Sequence, residues 1–106
     1  MVPNDDAALA TCPANFVCFY QDANFHGACN WALRDNVAFP DFRQLPCPNG
    51  GNFNDKMSSW KNPTSHRYCW YTNIDFRGTR HVMNPHTQRR SLPPGSNDTA
   101  SSAGPC

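Results

Sequence analysis

Hydrophobic positions in this chain come in short alternating runs. FVCFY at residues 16–20 and RYCWY at 67–71 set every second side chain on one side, the period-two pattern of strands. Each run leads to a Phe-any-Gly step, at Phe25–Gly27 and Phe76–Gly78. Glycine there suits a tight hairpin, because a positive φ costs a residue with a Cβ more than it costs Gly.

The two runs belong to an internal repeat. CFYQDANFHG from Cys18 and CWYTNIDFRG from Cys69 share Cys-aromatic-Tyr, four residues, Phe, any, Gly, at an offset of 51. NDKMSS from Asn54 and NDTASS from Asn97 repeat at an offset of 43, so the first unit is eight residues longer between hairpin and loop. The excess is placed around DFRQLPCPNGG. Neither unit can bury its own face, so the two are expected to pack together. The pattern predicts an all-β single domain over residues 1–106, a β-sandwich of two Greek keys at about 16–62 and about 67–106.

Composition sharpens this. Four Val, four Leu, one Ile and seven Phe make up about 15% of the 106 residues, so three Trp, three Tyr and the Phe rings must supply the core. Twelve Asn, ten Pro and six Gly call for many turns, and the absence of Glu and scarcity of Lys disfavour helix. The six cysteines, Cys12, Cys18, Cys29, Cys47, Cys69 and Cys106, contain no CxxC pair and fit three disulfides formed in an oxidising, extracellular setting. Their pairing stays open among fifteen possibilities; a Cys106–Cys12 staple of the tail to the N-terminal region is one guess. The net charge of +1 gives no reason to expect nucleic-acid binding, and no apolar run nears the roughly 20 residues of a membrane span. MVPNDDAALATCP lacks the apolar stretch of a signal peptide and reads as the start of a mature chain.

Tyr, four residues, Phe, any, Gly, followed by [N/D][N/D]xx[S/T]S and present twice between Val17 and Ser102, resembles the βγ-crystallin motif. With CPxxxxCxY from Cys12 to Tyr20, the chain resembles small secreted bacterial proteins of that superfamily, grouped with a crystallin-fold metalloproteinase-inhibitor family.

The loops carry hard oxygen donors and no soft ligand, which suits Ca2+ better than zinc or copper. The resemblance implies two calcium ions, each shared between units. One would take the Lys56 carbonyl, the Ser58 hydroxyl and Asp98; the other the Thr99 carbonyl, the Ser101 hydroxyl and Asp55. A further carbonyl is implied near Gln21 and near Thr72. Ser59 and Ser102 read as braces for the hairpins, and Asn54 and Asn97 as further amide-oxygen ligands or as loop supports. One carboxylate per site, and the ammonium of Lys56, lead to an expectation of modest affinity.

Other constellations carry less. His26, His66, His81 and His86 form no metalloprotease signature, and His81 and His86 read as surface imidazoles in a basic turn. No nucleophile elbow, phosphate loop or Cys–His pair is present, so the chain is expected not to be an enzyme. One or both of Trp60 and Trp70 are expected in the core and Trp31 at least half-buried. Residues 1–60 carry net −3 and residues 61–106 net +4, the latter including Arg77, Arg80, Arg89 and Arg90.

The leading functional expectation is a secreted, monomeric calcium-binding protein that inhibits an extracellular metalloproteinase. It would present either the insertion Asp41–Asn52 or the turn Asn84–Pro94. The alternatives are a module binding a cell wall, carbohydrate or other cell-surface polymer, including an antimicrobial toxin-like one, and a structural protein merely stabilised by calcium.

Overall fold

The structure, a computed structural model, describes residues 12–48 and 50–106, and the backbone of 2–3. Met1, residues 4–11 and Asn49 lie outside the described residues. They take with them most of the segment read for a leader and one position of the Asp41–Asn52 insertion.

The alternating runs form strands. The described strands are β1 (Val2–Pro3), β2 (Phe16–Tyr20), β3 (Trp31–Arg34), β4 (Ser59–Asn62), β5 (Tyr68–Asn73), β6 (Arg77–Met83), β7 (Thr87–Arg89) and β8 (Ser102–Pro105). They build two antiparallel sheets, ordered β1-β3-β2-β4-β7 and β6-β5-β8. The two layers enclose one core, the disulfide-stapled β-sandwich expected from the pattern.

The halves exchange an element. β7 follows β6 directly in the chain but joins the sheet of the first half, pairing Trp60 with Arg89 and Asn62 with Thr87. In return, Phe39 of the first half bridges to β8: its N–H donates to the Ala103 carbonyl at 2.8 Å, and Ala103 donates back at 3.1 Å. The hydrophobic alternation does not encode this exchange, because β7 is short and polar and Phe39 makes only an isolated bridge outside any strand.

Aromatic rings fill the core in place of aliphatic residues. Phe42 is fully buried, with Phe19 at 5.7 Å and Phe53 at 5.5 Å between ring centroids. Each such burial contributes about 1.5–3 kcal/mol. Trp60 and Trp70 are buried and Trp31 is half-buried, as expected. Asn62 is a polar exception at 0% exposure. Its amide donates to the carbonyls of His66 (2.9 Å) and Met83 (2.8 Å), and its oxygen accepts from the Thr64 N–H (3.1 Å) and hydroxyl (2.7 Å). Those bonds fix the connection from β4 to β5, which the sequence reading did not foresee.

All six cysteines are bridged, as Cys12–Cys18, Cys29–Cys47 and Cys69–Cys106. The Cys106–Cys12 guess is thus wrong. The C-terminal strand β8 pairs with β5 in its own half, with Cys69 opposite Gly104, and this brings Cys106 to a Cα distance of 5.8 Å from Cys69. Cys12 closes a small ring with Cys18 instead.

Candidate metal centre

Both hairpins fold back over their own sheets by the same device. Asn24 and Phe25 in the first, and Asp75 and Phe76 in the second, have φ between 58° and 62°. This left-handed pair of residues turns the Phe ring onto the motif Tyr: Tyr20–Phe25 at 5.6 Å and Tyr71–Phe76 at 5.8 Å, both edge-on. Gly27 and Gly78, at φ 134° and 83°, allow the return. A Cβ on Gly78 would run into Thr72 Oγ1, and one on Gly27 would lie 2.8 Å from Gln21 Cβ.

The last Ser of each loop locks the fold-back. Ser59 donates to the Asp22 carbonyl (2.6 Å) and accepts from the Phe25 N–H (3.1 Å). Ser102 repeats this with Asn73 (2.7 Å) and Phe76 (3.1 Å). These are the braces read from the sequence.

The oxygen-rich loops lie against one another. Asp55 N–H donates to the Ala100 carbonyl at 2.9 Å, and Asp98 N–H to the Met57 carbonyl at 3.1 Å. Asp55 and Asp98 both sit at φ 59°, a conformation Asp tolerates better than most residues. Each carboxylate is thereby carried to the opposite loop. Ser58 Oγ donates to Asp98 Oδ1 at 3.1 Å, and Ser101 Oγ lies 3.4 Å from Asp55 Oδ1. Ser101 Oγ also lies 3.0 Å from the Thr72 carbonyl oxygen.

Two clefts result. The first, of about 200 Å³, is lined by Gln21, Asp22, Asp55, Lys56, Ser58 and Asp98. The second, of about 550 Å³, includes Asn54, Asp55, Thr72 and Ser101, with Asp75, Arg43 and Arg77 around it. The structure therefore brings Ser58 to Asp98 and Ser101 to Asp55. It places Gln21 and Lys56 at the first cleft and Thr72 at the second. Thr99 donates its hydroxyl to the Ser96 carbonyl at 2.6 Å, which shapes its loop.

The donors fit a hard cation. Carboxylate, hydroxyl and carbonyl oxygens converge from two loops, and buried Asn54 Oδ1 has no hydrogen-bond partner among the described residues. Among those residues no three His, Cys, Asp or Glu side chains cluster to hold a metal ion, so hydroxyl and carbonyl oxygens would have to supply most of the ligands. Charged neighbours set the clefts apart. Asp22 faces the first, while Arg43 and Arg77 flank the second. Asp41 grips Arg43 at 2.9 and 2.8 Å, which holds the Asp41 carboxyl below its ordinary pKa. Asp22 and Arg77 occupy hairpin positions that a closer reading of the repeat would have included. Arg43 comes from the stretch between strands and has no sequence signal.

The imidazoles lie elsewhere. His66 contacts Asp35 at 3.0 Å. His81 departs from the surface reading: it stacks on Trp70 at 3.9 Å and 10°, and burial, then nearby Arg89, lowers its pKa.

Comparisons with known proteins bear on the family and the fold. Residues 5–84 match the model of peptidase inhibitor family I36. A solved structure described under the evolution of the eye-lens βγ-crystallin domain fold is 25% identical, covering 87% of this chain and 85% of that one, with a TM-score of 0.71. A double mutant of a βγ-crystallin domain from Clostridium beijerinckii is 30% identical, covering 84% and 93%, with a TM-score of 0.65. A βγ-crystallin from Ciona intestinalis, 20% identical over 86% and 99%, shares the fold at a TM-score of 0.67. No curated protein matches the chain.

Proposed function

The chain belongs to peptidase inhibitor family I36 and has the βγ-crystallin fold, and on that premise we propose that it is a secreted, non-catalytic inhibitor of an extracellular metalloproteinase, stabilised by two calcium ions. The family match over residues 5–84 carries this reading.

The inhibitory element would be the turn that bears Cys47. The turn between Pro46 and Asn52 projects from two buried anchors, Leu45 and Phe53, joined by the Phe53 N–H to Leu45 carbonyl bond at 2.9 Å. Within it, Gly50 N–H donates to the Cys47 carbonyl and Cys47 N–H to the Gly51 carbonyl, both at 3.1 Å. The Cys29–Cys47 bridge ties the turn to the body. Pro48, Gly50 and Gly51 are exposed at its tip. A turn held in this way loses little conformational entropy on entering a cleft, which favours tight binding. The Asn84–Pro94 stretch contains β7, which is paired with β4.

Calcium, when bound, would supply a multivalent positive centre that gathers oxygen donors from both loops. Asp98, Ser58 and the Lys56 carbonyl would hold one ion, with the Gln21 carbonyl beside them. Asp55, Ser101 and the carbonyls of Thr99 and Thr72 would hold the other. Three disulfides suit the extracellular compartment this function requires.

The test is a panel of secreted metallo-, serine and cysteine peptidases assayed with the purified protein. Inhibition confined to metallopeptidases is expected, and it should be lost in Pro48→Asp without change in melting temperature. A panel in which no metallopeptidase is inhibited refutes the reading.

A further inference from the structure

The basic arch between the two sheets is unexplained by peptidase inhibition. Residues 76–97 contain four Arg and two His and no carboxylate. β6 and β7 are consecutive in the chain but belong to different sheets, so the connection Asn84–His86 sets two sheet edges side by side. β6 pairs with β5 on one side and with no other strand among the described residues. From Arg77 to Arg80 its residues are exposed, and Val82 is 42% exposed. Between the edges lies a cleft of about 120 Å³, floored by Trp60 and Trp70 and flanked by His81, Arg89, Leu92 and Ser96.

We propose that the free edge of β6 and the adjoining cleft bind an extended acidic segment of a partner protein, which adds to the sheet as a further strand. An unpaired edge offers a row of N–H and C=O groups that only another backbone in extended form can match. Charge selects the occupant. Arg77 and Arg80 on β6, with Arg89 and Arg90 across the arch, repel a second copy of this edge and attract carboxylates. The cleft accommodates one short side chain, which Arg89 and the Ser96 hydroxyl can meet. His81 is held uncharged at neutral pH by its burial and by Arg89, so it serves as a neutral hydrogen-bonding group there. A sugar polymer is disfavoured because His81 already covers the face of Trp70.

Calorimetric titration of the intact, oxidised protein tests this. The probe is a peptide of about eight residues alternating Asp and Val. Controls are its Asn–Val counterpart, two versions N-methylated on alternate residues, and a heparin oligosaccharide. The Asp–Val peptide should bind and the Asn–Val peptide should be at least about tenfold weaker. One N-methylated register should lose binding while the other keeps it, because alternate amides of an added strand face the sheet. Arg80→Gln and Arg89→Gln should each weaken binding about three- to tenfold, and Arg34→Gln, on β3, should not. Binding of both N-methylated peptides like the parent, binding of the oligosaccharide at least as tightly, or no binding at millimolar peptide overturns the proposal.

Discussion

Single side chains in this protein hold unusually many backbone groups. Asn62, itself at 0% exposure, satisfies carbonyls from two segments and accepts from Thr64. Asn62→Ala would strand these groups and is expected to lower stability by about 2–3 kcal/mol, read by urea denaturation. Gly78→Ala meets both a φ of 83° and the Thr72 hydroxyl, so a loss of more than about 1 kcal/mol is expected in the same assay. His81 gives a pH signature. Its pKa lies below the ordinary 6.5 in the folded chain. The unfolded chain therefore binds a proton first as pH falls, so stability is full above pH 6.5 and declines through the lowered value. The melting temperature should drop on acidification, and His81→Gln should flatten that drop. These residues were hard to read in the sequence because their roles depend on neighbours distant along the chain. The Ser59 and Ser102 braces were legible because each acts on a hairpin of the same repeat.

At the level of elements, the disulfides differ in reach. Cys69–Cys106 closes a separation of 37 residues and Cys12–Cys18 one of 6. Chain-entropy reasoning assigns them about 4 and about 2 kcal/mol respectively. Replacing both members of a pair by Ala should reproduce that order in denaturant midpoints, and equal losses would contradict it. The hairpins were legible because their turn chemistry is local: a Phe, a Gly two residues on, and a Tyr upstream. The pairing of the cysteines was not, since it depends on which sheet each strand joins. β7 shows the same limit. Thr87–Arg89 has no hydrophobic alternation, and its place beside β4 is set by the exposed edge available to it.

Across the whole molecule, the loops at Asp55 and Asp98 are reciprocal, each carboxylate serving the other half. The repeat made the two loops legible, but their sharing of sites came only as an implication of the family resemblance, and the charges that distinguish the clefts gave no signal. If calcium occupies both, either Asp55→Ala or Asp98→Ala should disturb both binding events in a calorimetric titration, whereas independent sites would lose one each. Saturating calcium, about 100 times its Kd, should add about 2.7 kcal/mol per site and raise the melting temperature by roughly 10 °C or more per site. An unchanged melting temperature would contradict calcium binding to the folded state. The exchange of β7 for Phe39 has one more consequence. A peptidase that nicked the link Pro63–Arg67 would leave two fragments still interlaced through both sheets, with each disulfide lying inside a single fragment. The cut molecule should migrate as one particle until denatured, so this chain should survive a cleavage that would dissolve a protein built from two self-contained halves.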